Sequence, residues 1–348
     1  MRKPSDLTAT NIGAALTASG VVADHPIGAT VELLGVGVGL LGTLARVHLD
    51  WPDHVSGPAS IVAKFPTSEP ANEWIVRHFG YDRREAGVYR DLEPWKRAPA
   101  PRCLAQHWDD TTGRGCLLLE DLGQLGTGDQ LSGATDREAR LVVEALAAWH
   151  AAWWEDPHLA ELDWLPDTSS TVVAGYGDIF DTTWAACVEK LGGAVDGDTL
   201  DGALEARGEF ETALSEFGSA PRTLVHGDAR LDNMRFGPDR AVLLDFQLAT
   251  RSRGAYDLAF FCAGSLTTDD RRRLEPDLLD CYLAGLERAG VADYDLPHLE
   301  HDYRLGHIVN LPNPVSALAV VAPGNERGAE FLLRNAVRGI TATVDHLG

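Results

Sequence analysis

Apolar and polar residues alternate in short runs over the first third of the chain and recur at helical spacing over the rest. Residues 31–34 read as a strand, 43–51 alternate as a second, and 61–65 set one lysine among apolar neighbours as a third. Residues 103–108 and 116–120 predict two more strands around a polar turn, and 117–119 are wholly apolar, as an interior strand requires. Helices are expected over 6–18, with Ser5 as N-cap, and from Glu69 or Asn72 to Leu92. Another is expected over 136–154, where Leu141, Ala145, Trp149 and Trp153 repeat every fourth position. Later on, 223–225 and 241–244 are short apolar strands, 271–290 and 328–347 are amphipathic helices, and 311–315 and 322–324 are Pro-rich loops. Strands dominate before Glu120-Asp121-Leu122-Gly123 and helices after it, which predicts an α+β chain of two parts, 1–120 and 121–348, joined by a hinge.

Composition narrows the functional classes. With 348 residues the chain can bury two cores, and a net charge of -22 argues against nucleic-acid or anionic-membrane binding. The five cysteines are scattered without a C-x-x-C pair, the reading of reduced thiols in a cytoplasmic protein. No apolar run reaches membrane-span length, and Arg2 and Lys3 followed by polar residues make a poor signal peptide. Oligomeric state has no signature here.

The chemistry concentrates in 224–247, LVHGDARLDNMRFGPDRAVLLDFQ. A strand, a polar loop and a hairpin would gather His226, Asp228 and Asn233, and return the chain so that Asp245 faces them. Two carboxylates and an amide oxygen make a hard-oxygen site suited to Mg²⁺, which is normally completed by phosphates and water. Upstream, Gly37, Gly39 and Gly42 form a G-x-G-x-x-G run followed by alternating residues, so a hairpin over phosphates fits better than a dinucleotide fold. Lys64 in its apolar strand needs an acidic partner. Glu73 and Glu85 are both available, and Glu85, one turn before Tyr89, is preferred. His150 and the Trp149, Trp153 and Trp154 cluster read as core. The acidic stretch 178–216 reads as solvated helix faces, with a wall for a cationic acceptor as the alternative. Asp257 opens a helix, and its place would let it tie down the 226–233 loop.

These residues stand in the order of the protein-kinase fold. In detail the chain resembles the aminoglycoside-phosphotransferase and choline-kinase superfamily, and within it the ecdysteroid-kinase-like branch, through HGDARLDN, LDFQ, REAGVY and YDLAFF. The resemblance covers roughly 31–261. It implies a bilobal protein-kinase-like fold, with a small N-lobe of antiparallel sheet plus helix and a larger, mostly α-helical C-lobe. It implies ATP and Mg²⁺ as cofactors, Asp228 as catalytic base, and Asn233 and Asp245 as metal ligands. Lys64 and Glu85 become the phosphate-positioning pair, His226 the support of the loop and Arg230 a γ-phosphate neighbour. The glycines would cover the phosphates, and the hinge at Glu120 and Leu122 would offer its backbone to adenine. Gly227 where protein kinases carry Arg, and the short link from Asp245 to Asp257, imply a small hydroxylated acceptor in place of a peptide. Competing readings are a catalytically weak nucleotide-binding sensor and a metal-dependent phosphoesterase.

Overall fold

The structure is a computed structural model that describes residues 1–34, 42–67, 70–109, 112–168 and 171–347. Of the residues in helices, the side chains of 70–72, 74, 75 and 171–174 also lie outside the description. The chain divides into two compact units, Met1–Leu125 and Gly126–Gly348.

The first unit is built on an antiparallel sheet of order β1-β2-β3-β5-β4. Its strands are β1 (Gly28–Leu34), β2 (Gly42–Asp50), β3 (Ser60–Pro66), β4 (Cys103–Asp109) and β5 (Arg114–Glu120). Period-two alternation separates its faces. Ala45, Val47, Ile61, Ala63 and Leu118 face a core shared with Ile12 and Leu16 of α1 (Ala9–Ala18). The register Leu44↔Lys64↔Leu117 puts Lys64 on the opposite face.

Two expectations change here. Helix α1 starts at Ala9 with Thr8 as N-cap, after a 3-10 turn at Pro4–Asp6, so Ser5 caps nothing. The cause is local: Asp6 spends its carboxylate on the Arg2 amide, whereas Thr8 Oγ1 accepts from Asn11 N–H at 3.2 Å. The expected helix ending at Leu92 is two helices, α2 (Pro70–Phe79) and α3 (Tyr81–Gly87), followed by a π-helical turn at Val88–Leu92. Gly80 adopts φ +67 between them, a left-handed stop that glycine makes easily.

The second unit is mainly helical. Helix α4 (Asp136–Ala152) opens on a capping box between Thr135 and Glu138, and α5 (Thr171–Leu191) and α6 (Gly197–Phe217) follow. Four short strands come next: β6 (Thr223–Val225), β7 (Met234–Phe236), β8 (Ala241–Leu243) and β9 (Thr250–Ser252). Strands β7 and β8 form the expected hairpin, while β6 pairs with β9, a strand the pattern did not announce. Helices α7 (Ala255–Ser265), α8 (Thr268–Arg288), α9 (Leu296–Asn310), α10 (Pro312–Val320) and α11 (Glu326–Asp345) complete the unit. Residues 311–315 are therefore helical from Pro312 onward and not a loop. Proline at N1 has no N–H to lose and starts a helix as readily as it ends one.

The acidic stretch lies on α5 and α6, where Asp178, Asp181, Glu189, Asp201, Glu205 and Glu211 are exposed. Arg207 gathers Asp181 and Glu211 at 2.8 Å each. All five cysteines are free thiols, and burial pushes Cys103, Cys116 and Cys262 up to about 12. No described helix is long and apolar enough to cross a membrane.

Candidate active site

In the second unit, strand β6 delivers the chain into a loop held from beneath by one carboxylate. Asp257 is fully buried in the first turn of α7. Its Oδ2 accepts the His226 N–H at 2.5 Å and its Oδ1 the Gly227 N–H at 2.9 Å. His150 Nε2 lies 3.1 Å from Asp257 Oδ2, and His150 Nδ1 lies 2.8 Å from the Tyr282 hydroxyl. The ring thus links the Asp257 carboxylate to the Tyr282 hydroxyl. Asp257 thus anchors the loop, and His150, read as a core histidine, is the strut behind it.

Gly227 is required twice over. Its φ is +83, and a Cβ there would stand 2.1 Å from the Leu248 carbonyl oxygen. Any side chain at this position strains the loop against Leu248, so the departure from H-R-D goes with the backbone path.

His226 is wholly buried. Its Nε2 is 2.7 Å from the Leu244 carbonyl, and its Nδ1 accepts the Asp228 N–H at 3.2 Å, so the ring clamps the loop to the end of β8. Asn233 Nδ2 donates to Asp228 Oδ2 at 2.8 Å and to the Asp228 carbonyl at 3.0 Å. Arg230 Nε reaches the same Oδ2 at 3.1 Å. With both amide protons committed, the Asn233 side-chain oxygen is left as an acceptor atom. The Leu244 N–H donates to the Asn233 carbonyl at 2.9 Å, which ties the residue before Asp245 to the loop. Asp245 has φ +67, unusual for a residue with a Cβ and of the kind that clusters at functional sites. Phe246 stacks on Trp149 at 4.7 Å between centroids and meets His226 edge-on at 5.3 Å, which makes Trp149 the floor of this turn.

Arg230 also sits 3.7 Å from Asp232 and lies over the Phe331 ring of α11 at 5.8 Å. The Asp228 charge, followed by burial acting the other way and by Asp232, leaves its pKa above the usual arginine value. Gln130 is a residue the motif reading missed. Its Oε1 accepts the Leu231 N–H at 2.8 Å, while its Nε2 donates to the Gly264 carbonyl at 3.0 Å, bracing the loop from the side.

In the first unit, Lys64 Nζ meets Glu85 Oε2 at 2.6 Å, with side chains 9% and 4% exposed. Glu73, the other candidate, pairs with Arg114 and Arg77 instead. A Cβ on Gly42 would stand 3.2 Å from the Phe65 carbonyl and 3.6 Å from Lys64 Cε, because β2 runs paired alongside the lysine strand. Gly37 and Gly39 lie outside the described residues.

Glu120 ends β5 and accepts the Arg102 N–H at 3.2 Å, and Leu122 is buried. The residue between them, Asp121, was not singled out as a site residue. It holds Arg46 Nε at 2.8 Å, Ser60 Oγ at 2.7 Å and the Gly123 N–H at 2.9 Å. Burial would raise the Asp121 pKa, but Arg46, Ser60 and Gly123 outweigh it and hold the carboxyl below its ordinary value. Spacing gave no signal for this clasp, because Arg46 on β2 and Asp121 past the end of β5 are separated in the sheet by β3.

A model of the phosphotransferase enzyme family matches residues 64–294. Among solved structures, the chain is similar to an ethanolamine kinase from Plasmodium vivax, with TM-score 0.54 and 14% identity over 88% of this chain and 81% of that one. It is similar to a choline kinase from Cryptosporidium parvum, with TM-score 0.54 and 12% identity over 92% and 88%. An aminoglycoside 2'-phosphotransferase solved as its GDP complex aligns with TM-score 0.52 and 15% identity over 88% and 92%. At these identities the structural matches establish a kinase-like fold. A search of curated proteins found no sequence match.

Proposed function

The chain belongs to the phosphotransferase enzyme family, within the aminoglycoside-phosphotransferase and choline-kinase superfamily, and on that premise we propose that it transfers the γ-phosphate of ATP to a hydroxyl of a small molecule. The observation that carries this reading is the state of Asp228. Its Oδ2 is taken by Asn233 and Arg230, and among the described residues no hydrogen bond reaches Oδ1. One oxygen thus orients the carboxylate, and the other can accept the proton of an attacking hydroxyl.

Asn233 and Asp245 supply hard oxygen donors of the kind Mg²⁺ takes, and the locked Asn233 amide leaves its oxygen for that purpose. Mg²⁺ bound there would neutralise charge on the nucleotide phosphates. Lys64, oriented by Glu85, would grip the α- and β-phosphates. His226 keeps Asp228 in place through its two ring hydrogen bonds. Arg230 would meet the γ-phosphate, leaving Asp228 as it does so. The Glu120–Leu122 backbone would take the base.

A small acceptor is favoured because Gly227 leaves no space for the arginine that links a kinase loop to an activation segment. The exposed acidic faces of α5 and α6 give no reason to require a polycationic acceptor.

The test is ADP release by the purified protein with Mg²⁺-ATP or Mg²⁺-GTP across amino alcohols, aminoglycosides, macrolides, sugars and steroid alcohols. The steroid arm examines the ecdysteroid-kinase-like branch. Asp228→Asn should lower kcat by about 10²–10⁴-fold on any active compound, with the fold intact by circular dichroism. Nucleotide binding without turnover on any compound would favour a sensor. Phosphate release from phosphoesters in the absence of nucleotide would overturn the kinase reading.

A further inference from the structure

Away from the catalytic loop in sequence, helices α8 and α9 and the C-cap of α11 bring together Glu275, His307 and His346, with ligand atoms within 4.8 Å of one another. His307 is 1% exposed, and among the described residues neither of its ring nitrogens has a hydrogen-bond partner. A buried imidazole that has given up water at both nitrogens calls for a partner. Burial, then His346 and Arg271, holds its pKa well below the ordinary histidine value, so the ring presents the neutral form that metals bind.

The two other residues are arranged for the same task. His346 Nδ1 lies 2.7 Å from the Ala342 carbonyl and therefore donates to it. That leaves a lone pair on Nε2 when the ring is neutral, and Nε2 stands 3.6 Å from Glu275 Oε2. Either a proton on Nε2 or a metal cation between the two atoms makes this facing pair favourable. Across a tetrahedral ion with bonds of about 2.1 Å, ligand atoms stand about 3.4 Å apart. Glu275 is held by Arg271 Nη1, 3.0 Å from each carboxylate oxygen, and by the Tyr303 hydroxyl at 2.7 Å. Such outer partners orient metal ligands.

We propose that Glu275, His307 and His346 form a site for a borderline divalent ion, Zn²⁺ foremost, which staples α11 to α8 and α9. Two imidazoles and a carboxylate suit Zn²⁺, with water as fourth ligand. The charged groups around it balance: Glu275 and Asp345 offset Arg271 and Arg272. The imidazole rings stack at 4.3 Å with a 15° angle, so loading tilts His346, whose side chain is 22% exposed, while His307 stays buried. The inference is independent of the phosphotransferase reading.

The experiment is a Co²⁺ and Zn²⁺ titration of the full-length protein, read by visible cobalt absorption, by metal content after dialysis and by melting temperature. One ion per chain with tetrahedral cobalt bands is expected, with a rise in melting temperature on adding Zn²⁺. His346→Gln should abolish the bands and weaken binding by more than the roughly 10–100-fold that loss of an outer partner costs. Asp245→Asn should leave both unchanged, which separates this site from the catalytic loop. His307→Gln should behave as His346→Gln, and if it fails to fold the more exposed His346 variant decides. Absence of a stoichiometric ion in the wild-type protein, or bands that survive His346→Gln, would overturn the proposal.

Discussion

Glu85 and Asp257 are both buried acids close to residues of the candidate chemistry, and they are stabilised in different ways. Glu85 faces a cation, Lys64, at 2.6 Å. Asp257 accepts from two backbone amides and lies against His150 Nε2, inside the first turn of a helix whose dipole favours negative charge. An ion pair fixes charge balance, and under the proposed function its lysine would share its protons with an arriving phosphate. A cradle of fixed donors instead specifies position. The lysine pair suits ligand binding, and the cradle suits a loop whose carboxylate must be held still.

Truncation should separate the two designs most sharply. Asp257→Ala leaves two amides and an imidazole without their acceptor, at about 1–3 kcal/mol each, so chemical denaturation should show a loss of about 3–9 kcal/mol. Lys64→Met removes the cation that faces Glu85 and should cost about 3–5 kcal/mol, but Lys64→Met with Glu85→Leu should recover most of it, because an apolar pair can replace a buried ion pair. If the double variant is no more stable than the single one, the pair is not the balanced unit described. Gly227→Ala comes next. A loss of about 1–3 kcal/mol is expected from the positive φ, with the overlap on Leu248 adding to it and a fall in turnover.

The smallest effect concerns Asp121. Its folded-state pKa is lowered, so the stability it contributes is complete above about pH 4 and drains as pH falls through that lowered value. Arg46→Met should cost about 1 kcal/mol or less at neutral pH and make acid unfolding below pH 4 less steep. Unchanged acid unfolding would mean that the clasp contributes nothing.

Local order made much of this protein legible. His226, Asp228, Asn233 and Asp245 fall within one strand–loop–hairpin stretch, so their convergence follows from a short chain path. Lys64 stood out because a lone cation in an apolar strand demands a partner, and the helical face of Glu85 made it the better of two candidates. Proline and glycine misled where their role depends on position: Pro312 begins a helix, and Gly80 divides one.

By itself the sequence determined the strand and helix content of the two parts, the kinase-like order of residues and the motif that places Asp228. Only the tertiary structure decided that Asp257 and His150, 107 positions apart, close on one another beneath the loop. It alone joined β6 to β9, seated Phe246 on Trp149, and gathered Glu275, His307 and His346 from two helices and the cap of a third. The physical reason is range. Hydrophobic period and turn chemistry act over a few residues and are written in spacing. The partner of a buried polar group is whichever distant side chain the packed core brings within about 3 Å, and spacing carries no record of it.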